Sequence, residues 1–323
     1  FSRGFIKTGL GKRIAYNLIA AFGSSSLRLA YALALSDLIL APATPSNTAR
    51  VGGVIMPITT SLAKAFGSEP QDGPRKIGSF LMQSIYQVNT ITSAMFQTSM
   101  AGNTLVAALA LQSFGIGITW GDWAMAAIVP GIVALLIMPY FIYKVYPPEI
   151  KDAREAQQMI REELKGLGKM SFQEWVMLGV FILALVLWAT SQFTKLDATT
   201  VAFLGISILL ATSVLVWDDV KSEKGAWDTL VWMGTLMGFA GFLSKLGFIK
   251  WATVLVGAYI PEGSWIIAFV IAVLINTYSH YVFASLTAHI SAMFVAFSAI
   301  AISAGAPPML TLLMIAFTSN LCM

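Results

Sequence analysis

Ala41 to Gly53 reads APATPSNTARVGG. Its centre, Ala43-Thr44-Pro45-Ser46-Asn47-Thr48-Ala49, is polar and interrupted by proline, yet apolar runs flank it on both sides. Leu27–Ala41 precedes it and Val51–Phe66 follows, the second run broken by Gly52, Gly53 and Pro57. Each flank is shorter than the roughly 20 apolar residues a helix needs to cross a bilayer. Two half-length arms around a proline-polar tip predict a re-entrant helical hairpin near residues 27–66. Broken backbone of this kind is tolerated at membrane depth only where it is buried in protein or lines a cavity.

The composition supports that setting. Of 323 residues, 57% are hydrophobic and 11% charged, against about 25% charged in soluble domains, and the mean hydropathy is +0.75. So little polar surface cannot coat a soluble protein of this size, and the lipid bilayer is an expected partner. The net charge of +4 is no nucleic-acid footprint. One cysteine, Cys322, excludes an internal disulfide and a thiolate zinc site, and two histidines, His280 and His289, are too few for a histidine metal cluster. The sequence carries no P-loop, no nucleophile elbow, no HExxH and no dinucleotide fingerprint, so no enzyme is expected.

Charge-free runs mark the spans. Trp123–Tyr143, Trp175–Thr194 and Ala198–Trp217 each fit one crossing. Ile77–Gly121 is twice as long and is broken by glycines, and Gly263–Met323 has no Asp, Glu, Lys or Arg. Pro147–Ser171 is the opposite, with ten of the 36 charged residues in mixed sign at helical spacing. It reads as an amphipathic, solvated linker helix on the cytoplasmic side, a side that its lysines and arginines favour.

The two halves echo each other. SNTARVGGVIMPI at 46–58 parallels SLTAHISAMFVAF at 285–297, and GFIKTGLGKRIA at 4–15 parallels GFLSKLGFIKWA at 241–252. Phe96-Gln97-Thr98-Ser99 parallels Phe317-Thr318-Ser319-Asn320 at a slightly shorter shift, as an insertion at Gly67–Gly73 would produce. Paired repeats in a membrane protein point to a secondary transporter. The expected organisation is a first membrane repeat over 1–146, the linker over 147–171, and a second repeat over 172–323 with its own hairpin near 264–303. Matching the halves predicts helices beyond both ends, so the chain reads as a piece of a longer one.

The two tips carry the chemistry. Helix N-termini offer unsatisfied N–H groups and partial positive charge, suited to a carboxylate. Ser, Thr and Asn side chains add neutral donors and acceptors, and freed carbonyls can hold a hard cation such as Na+. Two facing tips, around Ser46-Asn47-Thr48 and Ser285-Leu286-Thr287, make a site for a substrate with two carboxylates. The breaks at Thr98-Ser99 and Thr318-Ser319-Asn320 could supply further walls. Asp37 and Arg50 flank the first tip, and charges inside a bilayer are costly. They are expected to set local electrostatics rather than touch substrate. His289 holds the place of Arg50 in the second half, either as a neutral ring bonded within the bundle or as a titrating group.

GFIKTGLG at 4–11, APATPSNTARVGG at 41–53 and SHYVFASLTAH at 279–289 resemble the divalent anion:sodium symporter family, over almost the whole chain. The nearest branch in kind is that of the 2-oxoglutarate/malate and citrate/succinate exchangers. The resemblance implies an all-α polytopic transporter with two inverted repeats, each with a re-entrant hairpin and a broken helix. It implies a homodimer in a bacterial inner membrane or a plastid inner envelope, and a dicarboxylate substrate. By resemblance Ser46, Asn47, Thr48, Ser285 and Thr287 contact substrate, with Thr98, Ser99, Thr318, Ser319 and Asn320 at the two helix breaks. If transport is sodium-coupled, Na+ would sit near Ser46 and Asn47. Leu286 departs from the sodium-coupled pattern, which has Asn there, and a leucine side chain cannot ligate a cation. That favours dicarboxylate exchange by alternating access. A Na+-coupled dicarboxylate symporter is the alternative, and an ion channel a remoter one.

Overall fold

The computed structural model describes residues 1–247, 251, 254, 265–283 and 285–321, with the side chains of all but 240, 243 and 244. Part of the 241–252 repeat, the start of the second hairpin at 264, Ala284, Cys322 and Met323 lie outside the described residues. The described residues form helices and, among them, no strand; Ser25 and Asp152 make one isolated antiparallel bridge.

The chain opens with α1 (Ser2–Thr8) and α2 (Leu10–Phe22), joined at Gly9, whose φ of 77° suits a residue without a Cβ. Helix α3 (Ser26–Leu40) runs into a short 3-10 turn at Ala41–Ala43. The chain breaks, then resumes as α4 (Asn47–Arg50), a π-helical stretch (Val51–Ile55) and α5 (Met56–Ala65). Hydrogen bonds show which face this segment uses. At its start, Ser26 N–H donates to the Lys151 carbonyl and Ala153 N–H to Ser24. Just after its end, Glu149 N–H donates to the Arg75 carbonyl and Ile150 N–H to Lys76. Both ends are thus tied to one short strap, 149–153, and the segment enters and leaves on the same face.

Helix α6 (Gly78–Met95) continues after a break as α7 (Ala101–Phe114), and α8 (Trp120–Val145) returns toward the strap. Helix α9 (Arg154–Gly166) is the charged segment. It is docked rather than freely solvated: Ala156 and Ile160 are buried, and α9 packs on α2. Gln157 Nε2 donates to the Ala20 carbonyl at 2.9 Å, and Arg161 donates to the same oxygen through Nε and Nη2. Carbonyls in the last turn of a helix lack intrahelical partners, so α9 caps α2.

Helices α10 (Phe172–Ala189), α11 (Ser191–Thr194) and α12 (Ala198–Ala211) follow. Ala198–Trp217, read as one crossing, stops being helical at Ala211; Ser213 adopts φ of 56° and turns the chain. Then come α13 (Trp217–Lys221), α14 (Lys224–Lys245), α15 (Trp265–Ser279), a 3-10 turn (His280–Val282), α16 (Leu286–Ser303) and α17 (Pro308–Ser319).

Among the described residues, five segments are long and apolar enough to cross a membrane: Ser26–Ala43, Trp120–Val145, Phe172–Ala189, Trp265–Val282 and Leu286–Ser303. Helix α8 leaves Met125, Val129 and Leu136 exposed, and α10 leaves Trp175, Ile182 and Val186 exposed, a surface suited to lipid rather than water. Ser26–Ala43 is instead mostly buried in protein, as an arm of a hairpin would be. The two largest cores cut across the chain halves. One joins Phe5, Leu33 and Phe80 to Phe181 and Leu209; the other joins Val88 and Leu105 to Phe294 and Ile315.

Candidate functional site

Both tips are built the same way. Ser46 is extended (φ −138°, ψ 109°) and caps α4, its Oγ accepting from Ala49 N–H at 3.2 Å. Ser285 is extended (φ −141°, ψ 130°) and caps α16, its Oγ accepting from Ala288 N–H at 3.5 Å. Serine is a favoured N-cap because its side chain satisfies an orphan donor there. At the first tip Asn47 Oδ1 accepts from Thr48 N–H at 2.8 Å and faces the Thr48 hydroxyl.

The two tips meet. Ser46, Asn47 and Thr48 line one cavity of about 740 Å³ with Ser285, Leu286 and Thr287. The sequence reading missed other parts of its wall: Tyr86 and Gln87 from α6, Gly102 at the start of α7, and Thr229 from α14. Gly102 has a packing reason to be glycine. A Cβ there would come within 2.2 Å of Met100 Cε, 2.6 Å of Ile290 Cδ1 and 3.2 Å of Leu286 Cδ2. The first helix break and the second tip therefore touch at a residue with no side chain.

Thr98, Ser99, Thr318, Ser319 and Asn320 do not line this cavity; they are buried behind it. The Thr98 hydroxyl donates to the Pro42 carbonyl at 2.5 Å and accepts from Trp120 Nε1 at 3.0 Å. The Ser99 hydroxyl reaches the carbonyls of Ser93 and Phe96. Asn276 Nδ2 donates to Ser319 Oγ at 3.1 Å and reaches Thr318 Oγ1. Asn320 Nδ2 donates to Asn103 Oδ1 at 2.9 Å, and Asn103 Nδ2 to the Ser93 and Phe96 carbonyls. Ser99 and Asn103 satisfy carbonyls exposed at the break between α6 and α7, and Asn320 bonds the end of α17 to that break.

Arg50 is fully buried and pairs with Asp37 through Nε at 2.8 Å. Its Nη1 donates to the carbonyls of Thr44 and Ser99, both at 3.1 Å, and its Nη2 to Asn89, Thr92 and Ser93. The Thr92 hydroxyl also donates to Asp37 Oδ2. No guanidinium donor is left for a ligand. His289 is buried, stacked on His280, and within 3.0 Å of Ser279 Oγ through Nε2.

No group of three or more His, Cys, Asp or Glu that could hold a metal occurs among the described residues. For Na+ at the first tip, the useful oxygens would be hydroxyls, the Asn47 amide and freed carbonyls. The Thr44 and Ser99 carbonyls already take Arg50, and Leu286 brings no side-chain oxygen at the second. The donor set fits a carboxylate better than a cation.

Two serine-capped helix N-termini on one cavity, with lipid-suited faces on α8 and α10, are features of a membrane transporter. Comparison with known proteins gives the family. The chain belongs to the divalent anion:sodium symporter family, matching the sodium:sulfate symporter transmembrane region over residues 1–323. It is 52% identical over 321 residues to a putative malate transporter, YflS, of Bacillus subtilis, covering 99% of this chain and 67% of that one. It is 46% identical over 324 residues to the chloroplastic dicarboxylate transporter 1 of Spinacia oleracea, covering 99% and 57%. It is 43% identical over 320 residues to the inner membrane protein YbhI of Escherichia coli, covering 99% and 67%. The chain thus spans about three-fifths to two-thirds of the length of these relatives.

Proposed function

We propose that this chain holds the substrate site of a dicarboxylate exchanger that works by alternating access. The observation that carries the reading is the meeting of two serine-capped helix N-termini on one cavity. Each helix N-terminus suits one carboxylate, through N–H groups and the helix dipole. The distance between two tips then selects a substrate with two carboxylates a few carbons apart, of the 2-oxoglutarate, malate or succinate class. The names of the Bacillus and spinach relatives, malate transporter and dicarboxylate transporter, agree with that class. Ser46, Asn47, Thr48, Ser285 and Thr287 contact the substrate. Thr98, Ser99, Thr318, Ser319 and Asn320 hold the helix breaks behind them, and Asp37, Arg50 and His289 give electrostatic support.

Exchange is favoured over Na+ symport because Arg50 occupies carbonyls a cation would use and Leu286 brings no side-chain oxygen. The hairpin-bearing part moves against a scaffold, in a homodimer embedded in a bacterial inner membrane or a plastid inner envelope.

The test is uptake of labelled 2-oxoglutarate by liposomes containing the full-length protein, preloaded with unlabelled malate or with buffer, with and without external Na+. Uptake only into preloaded vesicles, indifferent to Na+, is expected. Na+-dependent uptake into empty vesicles would make the protein a symporter, and unsaturable flux with a macroscopic current would make it a channel.

A further inference from the structure

The turn after α15 holds a stacked pair of imidazoles, of which the transport reading gives His280 no role and His289 only electrostatic support. The imidazoles of His280 and His289 stack with centroids 4.8 Å apart and 20° between their planes. Phe283 packs against His289 edge-on at 5.1 Å. His289 is fully buried, while His280 lines the cavity of the two tips.

The hydrogen bonds assign one tautomer. Ser279 has a single hydroxyl hydrogen, and it is donated to the Asn276 carbonyl at 3.1 Å. With the hydroxyl hydrogen placed on that carbonyl, Ser279 Oγ accepts from His289 Nε2–H in the 3.0 Å contact. A neutral imidazole carries one N–H. Nδ1 of His289 is therefore a bare lone pair, buried and without a partner, and Nδ1 of His280 is also buried without a partner. Orphaned polar atoms in a protein interior are costly and call for an explanation. Two of them on stacked rings beside a proposed anion site point to a ligand that binds nitrogen lone pairs.

We propose that the His280–His289 pair binds a proton, taken up when a dicarboxylate enters the neighbouring tip. This rests on the dicarboxylate reading above. The proton comes from water, adds to one ring nitrogen and forms an imidazolium, and the dianion supplies the compensating charge. The pair holds a single proton, because two imidazoliums at this separation repel, so it titrates as a unit. The surroundings leave it little competition. The titratable side chains sharing the two cavities at this tip are Tyr86 from α6, Tyr281 from the hairpin itself and Asp228 from α14. Helix α15 adds Tyr278, whereas α7 and α17 bring no charged side chain. No lysine or arginine lines either cavity among the described residues.

The experiment is calorimetric titration of the full-length protein with 2-oxoglutarate near neutral pH, in two buffers of different ionisation enthalpy. The difference in heat gives the protons bound per dianion. About one proton per dianion is expected for the unmodified protein, with affinity falling about tenfold per pH unit on the alkaline side. His280→Gln and His289→Gln are expected to bring the proton number toward zero at saturating ligand, while Asp228→Asn keeps it. Binding without proton uptake in the unmodified protein, or uptake that survives both histidine variants, would overturn the proposal. Should a histidine variant fail to fold, Ser279→Ala takes its place. It removes the acceptor that fixes the tautomer, so the midpoint of the pH dependence should move, and an unmoved midpoint counts against the pair. Absence of any binding heat with 2-oxoglutarate, malate or succinate would instead overturn the dicarboxylate reading.

Discussion

Arg50 and Asp37 form a buried ion pair at 2.8 Å, with their side chains 0% and 2% exposed, directly behind the first hairpin tip. The pair joins three things that must hold together: the tip through the Thr44 carbonyl, the first helix break through the Ser99 carbonyl, and α6 through Asn89, Thr92 and Ser93. Removing one partner of a buried pair strands the other charge, at a cost of about 3–5 kcal/mol. Arg50→Ala should therefore lower the thermal midpoint sharply and reduce the yield of monodisperse protein. Arg50→Lys should be nearly as damaging, because an ammonium cannot reproduce the planar fork that reaches both carbonyls. The double variant Asp37→Asn, Arg50→Gln should recover part of the loss. Thermal unfolding in detergent checks all three, and a stable Arg50→Ala protein would show that the network is dispensable.

The tip side chains should behave differently. Losing an N-cap serine costs about 1 kcal/mol of stability, whereas losing a hydrogen bond to a charged carboxylate costs about 1.5–3 kcal/mol of binding. Ser46→Ala and Thr287→Ala should leave the thermal midpoint within a few degrees of the parent. Their half-saturation for 2-oxoglutarate in counterflow should rise by about 10- to 100-fold. Thr98→Ala and Ser319→Ala should show the reverse pattern, with a larger stability loss than their distance from the cavity would suggest. A set of half-saturation constants that followed stability instead would remove the tips from the substrate site.

The chain break before Asn47 and the irregular turn at Val51–Ile55 were legible, because proline and glycine interrupting apolar runs are a property of local sequence; the reading of the first arm as too short to span was not matched, since Ser26–Ala43 is long and apolar enough to cross a membrane. The cavity-facing role of Ser46 to Thr48 and of Ser285 to Thr287 followed from helix-start chemistry at those breaks. Tyr86, Gln87 and Thr229 were not legible, because they sit in unbroken helices and reach the cavity only through tertiary packing. Thr98 and Asn320 look like ligands in sequence, since polar residues at a break serve equally to bind a substrate or to satisfy freed backbone groups; in the structure they do the second. The end of α12 at Ala211 was missed as well. Apolar residues continue to Trp217, and hydropathy does not register the turn at Ser213.

The charged helix α9 supplies a further expectation. Its charge pattern alone suggests a free surface helix, but Gln157 and Arg161 both donate to the Ala20 carbonyl at the end of α2. Each such bond is worth about 1 kcal/mol net, so Gln157→Ala with Arg161→Ala should loosen α9 from α2 without unfolding the membrane bundle. Limited proteolysis should then cut within residues 154–166 faster than in the parent, with the thermal midpoint of the bundle little changed. Equal cleavage rates would mean that the apolar contacts of Ala156 and Ile160 hold the helix alone.

Gly102 tests the contact between the two halves of the site. With a Cβ at 2.2 Å from Met100 Cε and 2.6 Å from Ile290 Cδ1, even alanine must push something aside. Met100 can yield, because its side chain is long and flexible. Ile290 is fully buried and Leu286 stands at the second tip, so a bulkier residue must displace α16 itself. Overpacking of this kind costs about 1–3 kcal/mol. Gly102→Ala should thus be tolerated with reduced exchange, while Gly102→Val should fold yet lose most exchange because the second tip is moved away from the first. Trimming the neighbour should help: Gly102→Val combined with Leu286→Ala should regain exchange relative to Gly102→Val alone. Counterflow on the three proteins, normalised to folded protein, reads this directly. A Gly102→Val protein with parental exchange would mean that the spacing of the tips does not govern transport.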